Sequence, residues 1–164
     1  MCISKYEKQL ARLHRWYERF KQIDQGMPHR FPSEYYEDKV YAFFINCYHL
    51  KDWIINDDSI QINRKERKQL VENFINQNEC MRICADICNG IKHLKLQRIR
   101  SDKQPEFKSK HYSLTLGGGV EPIISVKFYV ETAKGKVDAF VLATECLRKW
   151  VEFIENNIKR SKIN

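Results

Sequence analysis

The sequence predicts a mostly helical α+β domain. It reads as a bundle of about five helices with a small antiparallel β-hairpin between the fourth and fifth. Three observations lead there. Before residue 97, apolar residues recur at intervals of three and four. Between residues 110 and 132 they switch to strict alternation. The 164 residues, 43% hydrophobic and 12% aromatic, suffice for one buried core without a covalent staple. A single domain over 1–164 follows, with the helical bundle at 1–97, the hairpin at 110–132 and a C-terminal helix at 138–160.

The first helix runs from Ile3 to Ile23. Ile3, Tyr6, Leu10, Leu13, Tyr17 and Phe20 form a narrow seam of alternating three- and four-residue steps. Such a seam packs on one neighbour, in the same chain or in a second copy, so a homodimer through helices is one expected partner. Gly26 to Pro32 carries turn chemistry. Ser33 then caps a second helix reaching about Ile55, with Glu34, Glu37 and Asp38 suited to its positive N-terminal end. Tyr36, Val40, Phe43, Phe44, Cys47, Leu50 and Ile54 line one face, and Tyr35, Ala42, Ile45, His49 and Trp53 the other. A helix apolar nearly all round is central, which places His49 and Asn46 inside the bundle.

Asn56 to Ser59 is a break. A third helix covers about Arg64 to Asn76 and a fourth about Glu79 to Leu94, followed by a polar loop from Ser101 to Ser109. Tyr112, Leu114 and Leu116 then alternate with polar residues, as do Ile124, Val126, Phe128 and Val130. The glycines at 117–119 and Pro122 join these strands through a loose turn. That triplet lacks the helix and Gly-Lys-Ser/Thr ending of a phosphate loop. Val137 suits a short third strand. Asp138 opens the last helix, with Ala143, Leu147, Trp150, Ile154 and Ile158 inward, and Lys159 to Lys162 form a basic tail.

The net charge is +8 and uneven. Lys92, Lys95, Arg98, Arg100, Lys103, Lys108 and Lys110 face only Asp102 and Glu106 in the same segment. Arg64, Lys65, Arg67 and Lys68 cluster around Glu66. Such density attracts RNA or another polyanion, or simply solubilises a surface. Cys80, Cys84 and Cys88 share one helical face with isoleucines, as reduced core cysteines do. Cysteines four apart on a helix could ligate zinc given exposure and a fourth donor. Without Cys-x2-Cys and with scattered histidines, core packing is the favoured reading, and no metal and no cofactor is expected. No apolar run approaches the roughly 20 residues of a membrane span, and the start lacks a signal core. A cytoplasmic protein is expected.

The fourth helix carries a polar stripe. Arg82, Asp86, Asn89 and His93 are spaced four, three and four apart and fall within about 60° of arc at about 100° per residue. The stripe is either a solvated face or a site. Asn89-Gly90 is a poor helix pair, so Gly90 either admits a close neighbour or marks a bend. If this face meets the second helix, His49, Asp52, Asp86, Asn89 and His93 form one buried polar cluster, whose members must bond one another.

The stretch Asn89-Gly-Ile-Lys92-His93 resembles the motif of HEPN domains. These are small helical bundles of prokaryotic defence and RNA-processing proteins, and many are metal-independent ribonucleases. Their motif is an Arg, often followed by a polar residue, with His ending it. Asn89 and His93 match the polar residue and the terminal His, and Cys88 stands at the Arg position. The resemblance covers about residues 1–97. It implies an RNA-binding domain of a prokaryotic defence or toxin system, paired as a dimer. It assigns His93 as acid/base and Asn89 as its orienting or phosphate-contacting neighbour. The basic residues Lys92 to Lys110 would hold the RNA backbone. Two phrases, from Cys47 to Trp53 and from Asn89 to His93, also resemble uncharacterised small bacterial proteins. The alternative is a non-catalytic interaction or structural protein, contacting a partner through the seam of the first helix.

Overall fold

In the computed structural model, which describes residues 4–93, 95–117 and 120–159, the first helix, α1 (Lys5–Gln25), starts with two borrowed caps. The Glu7 carboxylate accepts from the Ser4 N–H at 2.9 Å, and Asp57, from a distant loop, accepts from the Tyr6 N–H at 2.8 Å. Both satisfy donors that a helix start leaves unpaired. The remaining helices are α2 (Ser33–Ile55), α3 (Arg64–Gln77), α4 (Glu79–His93) and α5 (Ala139–Phe153). Asp138 caps α5 by accepting from the N–H groups of Phe140 and Val141. A wide π-helical turn, Ile154–Lys159, continues α5 and keeps Ile154 and Ile158 buried. Among the described residues, no helix is long and apolar enough to cross a membrane.

The β part is larger than the hairpin expected. Strands β2 (Glu106–Gly117) and β3 (Val120–Thr132) form a long antiparallel pair. The second edge of β3 is shared by β1 (Met27–Pro28) and β4 (Gly135–Asp138), giving a four-stranded antiparallel sheet. Two residues of β1 carry no alternation to read. Gly26, with φ 129°, turns the chain directly from α1 onto Ile123 and Ile124. Ile124, Val126, Phe128 and Val130 face the helices and are buried.

One hydrophobic cluster links all five helices and β3. Tyr6, Leu13 and Phe20 of the α1 seam are fully buried in it. Phe20 meets Phe43 and Phe44 of α2 and Phe140 of α5 at ring distances of 5.4–6.3 Å. Of the two neighbours expected for the seam, it is the one within the same chain that Tyr6, Leu13 and Phe20 meet. Ile3, Leu94, the turn glycines at 118–119 and the tail from 160 lie outside the described residues.

His49 is also corrected. It is exposed, not interior. Asp38, Ala42, Ile45, His49 and Asp52 form the outward stripe of α2, and Ala42 and Ile45 give that stripe an apolar disguise. Asn46 faces α1, where Gln9 donates to its side-chain and main-chain oxygens at 3.2 Å.

Candidate functional site

Helix α4 begins inside the protein and ends outside it. Every residue from Cys80 to Cys88 except Arg82 is buried, Asn89 and Gly90 are half-buried, and Ile91, Lys92 and His93 are exposed. The apolar side of α4 packs on α2, α3 and α5. Its polar stripe meets neither open solvent along its whole length nor a polar face of α2. The segment 95–105 folds back over it.

Asp86 is the anchor of that cover. It is fully buried. Its Oδ2 accepts from the main-chain N–H of Arg100 at 2.8 Å and of Ser101 at 2.7 Å, and from the Ser101 hydroxyl at 2.7 Å. Three donors on one carboxylate oxygen justify burying the charge. Asp102 follows with φ 69°, a left-handed conformation that aspartate tolerates better than most side chains. Gln104 closes the loop by accepting from the Leu96 N–H at 2.9 Å. A Cβ on Gly90 would stand 3.8 Å from the Gln104 amide nitrogen, an ordinary contact. Among the described residues, Gly90 therefore admits no close neighbour that an alanine would exclude.

Arg100 is tied down as well. Its guanidinium bonds Glu72 at 3.0 Å and the Asn76 side chain at 3.1 Å, and Lys51 stands 3.7 Å from the same carboxylate. Burial raises the Glu72 pKa, but the bond and charge of Arg100, with Lys51 beside it, more than reverse this and leave it below its usual value.

Beyond the anchor, the loop and the end of α4 enclose an open cleft of about 430 Å³ lined by Asn89, His93, Lys95, Leu96, Gln97 and Arg98. No acidic residue lines it. The stripe thus divides into a buried structural half and an accessible half. Asn89, His93 and Arg98 come together at the accessible half, so a guanidinium from the loop stands in the same cleft as the imidazole.

The other predicted residues go elsewhere. Arg82 donates to the Asn76 carbonyl at 2.7 Å. Asp52 lines a shallow recess with Lys5, Trp53 and Asn56. His49 Nε2 lies 4.0 Å from Cys88 Sγ, and burial pushes that thiol up to about 11. The single buried cluster of His49, Asp52, Asp86, Asn89 and His93 is corrected: only Asp86 is buried, and it is spent on the loop. The basic segment also divides. Lys110 pairs with Glu37 at 2.5 Å, Lys108 with Glu106 at 3.0 Å and Arg100 with Glu72. Lys92, Lys95, Arg98 and Lys103 are exposed and have no ion pair among the described residues.

Sequence reasoning missed Ser101, Gln104 and Glu72. The one signal for them was Ser101-Asp102, a pair that favours tight turns. The chain matches no family model, no curated protein and no solved structure.

Proposed function

We propose that the cleft at the end of α4 binds RNA, with Lys95 and Arg98 on the phosphates, Lys92 and Lys103 at its margins, and Asn89 and His93 at its floor. The observation that carries this reading is the company His93 keeps. It lines an accessible cleft with a lysine, an arginine and an amide, and with no acid to repel phosphate. Arg98 can hold a phosphate through two donors where the HEPN-like stretch itself has Cys88. An imidazole beside it can move the proton of a 2′-hydroxyl, which is the metal-independent ribonuclease activity of the resemblance. Two copies meeting at this end of α4 would put two His93 side chains on one substrate. A prokaryotic defence or toxin role is what the same resemblance implies.

Fluorescence anisotropy with single-stranded RNA tests the binding. Four phosphate contacts predict a slope of log affinity against log salt of about −3. The double substitution Lys95→Ala, Arg98→Ala should make that slope shallower by about 1.4. Absence of binding at low salt refutes the reading. Cleavage is tested separately, by incubation with structured RNA and a chelator. Activity unchanged in His93→Ala removes His93 as the acid/base, and absence of cleavage by the parent leaves binding as the function.

A further inference from the structure

Of the six cysteines in the sequence, the five in the described residues are all buried and free. They are not scattered through the core. Cys47 of α2, Cys84 of α4 and Cys146 of α5 bring their sulfurs within 4.8 Å of one another, and each is fully buried. A fourth lies beside them. Cys80, one turn before Cys84 on the same face of α4, accepts at its carbonyl from the Cys146 thiol at 3.3 Å, which places its main chain beside the cluster, while its sulfur stands outside the three that lie within 4.8 Å of one another. Packing alone gives no reason for sulfurs from three helices to share one point, since alanine or valine would fill the same volume.

We infer that Cys47, Cys80, Cys84 and Cys146 form a closed tetrahedral site for one zinc ion, stapling α2, α4 and α5 from within the core. Zinc holds thiolates at about 2.3 Å, which sets neighbouring sulfurs about 3.8 Å apart. Three sulfurs already lie within 4.8 Å of one another, near that spacing, and the Cys80 side chain must turn toward them to complete the set. Cysteines four apart on a helix supply two ligands from one face. Four protein sulfurs with no exposed position match a structural site, which is closed, and not a catalytic one, which keeps an open place. A four-iron cage would need its sulfurs farther apart. One feature offsets the negative charge of the bound thiolates. Cys80 is the second residue of α4, where the positive end of a helix favours a thiolate. The Trp150 indole N–H donates to the Cys47 carbonyl at 3.0 Å, which holds the main chain of one ligand in place.

The full chain, purified without chelator, should contain about one zinc per molecule. Removal by chelation should lower Tm, and zinc should restore it. Cobalt(II) added to the metal-free protein should give the intense visible bands of tetrahedral thiolate coordination. Cys146→Ser should abolish stoichiometric zinc, whereas Cys88→Ser, outside the cluster, should retain it. Where Cys146→Ser fails to fold, Cys80→Ser serves, with weakened zinc retention and an altered cobalt spectrum. A folded protein with no zinc, no cobalt bands and a Tm indifferent to added zinc overturns the site. So does recovery of copper(I) alone, or of a disulfide among these cysteines under reducing purification.

Discussion

Replacing Asp86 by alanine removes the acceptor of three hydrogen bonds from Arg100 and Ser101, in a place without solvent. A buried donor left unpaired costs about 1–3 kcal/mol. Three such donors set an upper bound near 9 kcal/mol, but the loop is on the surface and can lift into water. We therefore expect a loss of about 3 kcal/mol, close to the cost of releasing the loop with one donor still buried. For a chain of this length that is a fall in Tm of roughly 6–12 °C. Asp86→Asn keeps a carbonyl oxygen for the three donors but loses the charge and adds two buried N–H donors, so it should cost about 1–2 kcal/mol. Its amide can occupy the place of Oδ1, which has no partner among the described residues. Ser101→Ala, which deletes one of the three donors together with its bond, should cost about 1 kcal/mol. Urea unfolding of the three variants beside the parent measures this order. Asp86→Ala as stable as Asp86→Asn would show that the carboxylate does not hold the loop. Loss of RNA binding in Asp86→Ala with unchanged stability would make Asp86 a ligand contact and refute the division of the stripe.

Gly90→Ala should stabilise the protein by up to about 1 kcal/mol, because a helical position gains alanine's propensity and the new methyl meets only an ordinary contact; a thermal melt measures it. Leu13→Glu should abolish cooperative folding, not alter association, because Leu13 is fully buried within its own chain; near-ultraviolet circular dichroism and size-exclusion chromatography distinguish the outcomes. Glu72 has a folded pKa below its ordinary 4.5. Its contribution to stability is complete above the unfolded value and is lost as pH falls through the lower folded one. Glu72→Gln should therefore flatten the fall of Tm on the acid side of pH 4.5 and cost stability near neutrality.

The helices were legible because their signals are local. Ser33 to Ile55 stands out by its broad apolar face between a Pro-rich turn and Asn56, and α2 has those bounds. The strands were legible by alternation from Tyr112 to Leu116 and from Ile124 to Val130, but Glu106 to Ser109, expected as loop, belong to β2; Asp138 was legible by its capping chemistry. What escaped depends on partners far away in sequence. Met27 and Pro28 become a strand only because Gly26 aims them at β3. His49 reads as interior because Ala42 and Ile45 share its stripe, and nothing local states that it stays exposed among the described residues. The spacing of Arg82, Asp86, Asn89 and His93 was readable as one stripe. Its division was not, since main-chain donors hold Asp86 and main-chain donors have no sequence signature.

The anchor and the cleft are two consequences of one loop. Lys95 and Arg98 precede Arg100 and Ser101 by a few residues, so the Asp86 bonds that fix Ser101 also restrict where the Arg98 guanidinium can go. A phosphate site on an untethered loop would have to order its side chains on binding, at about 0.5–1.5 kcal/mol each. Tethering the loop to a buried carboxylate removes part of that cost before the ligand arrives. On the proposed RNA-binding reading, the buried half of the stripe would act on the accessible half without touching the ligand. Asp86→Asn, which keeps the loop in place, should bind RNA like the parent, while Asp86→Ala should bind more weakly with its salt dependence unchanged, since no phosphate contact is deleted. A changed salt slope in Asp86→Ala would mean that the loop had lost a phosphate contact outright, and tethering would no longer account for the affinity.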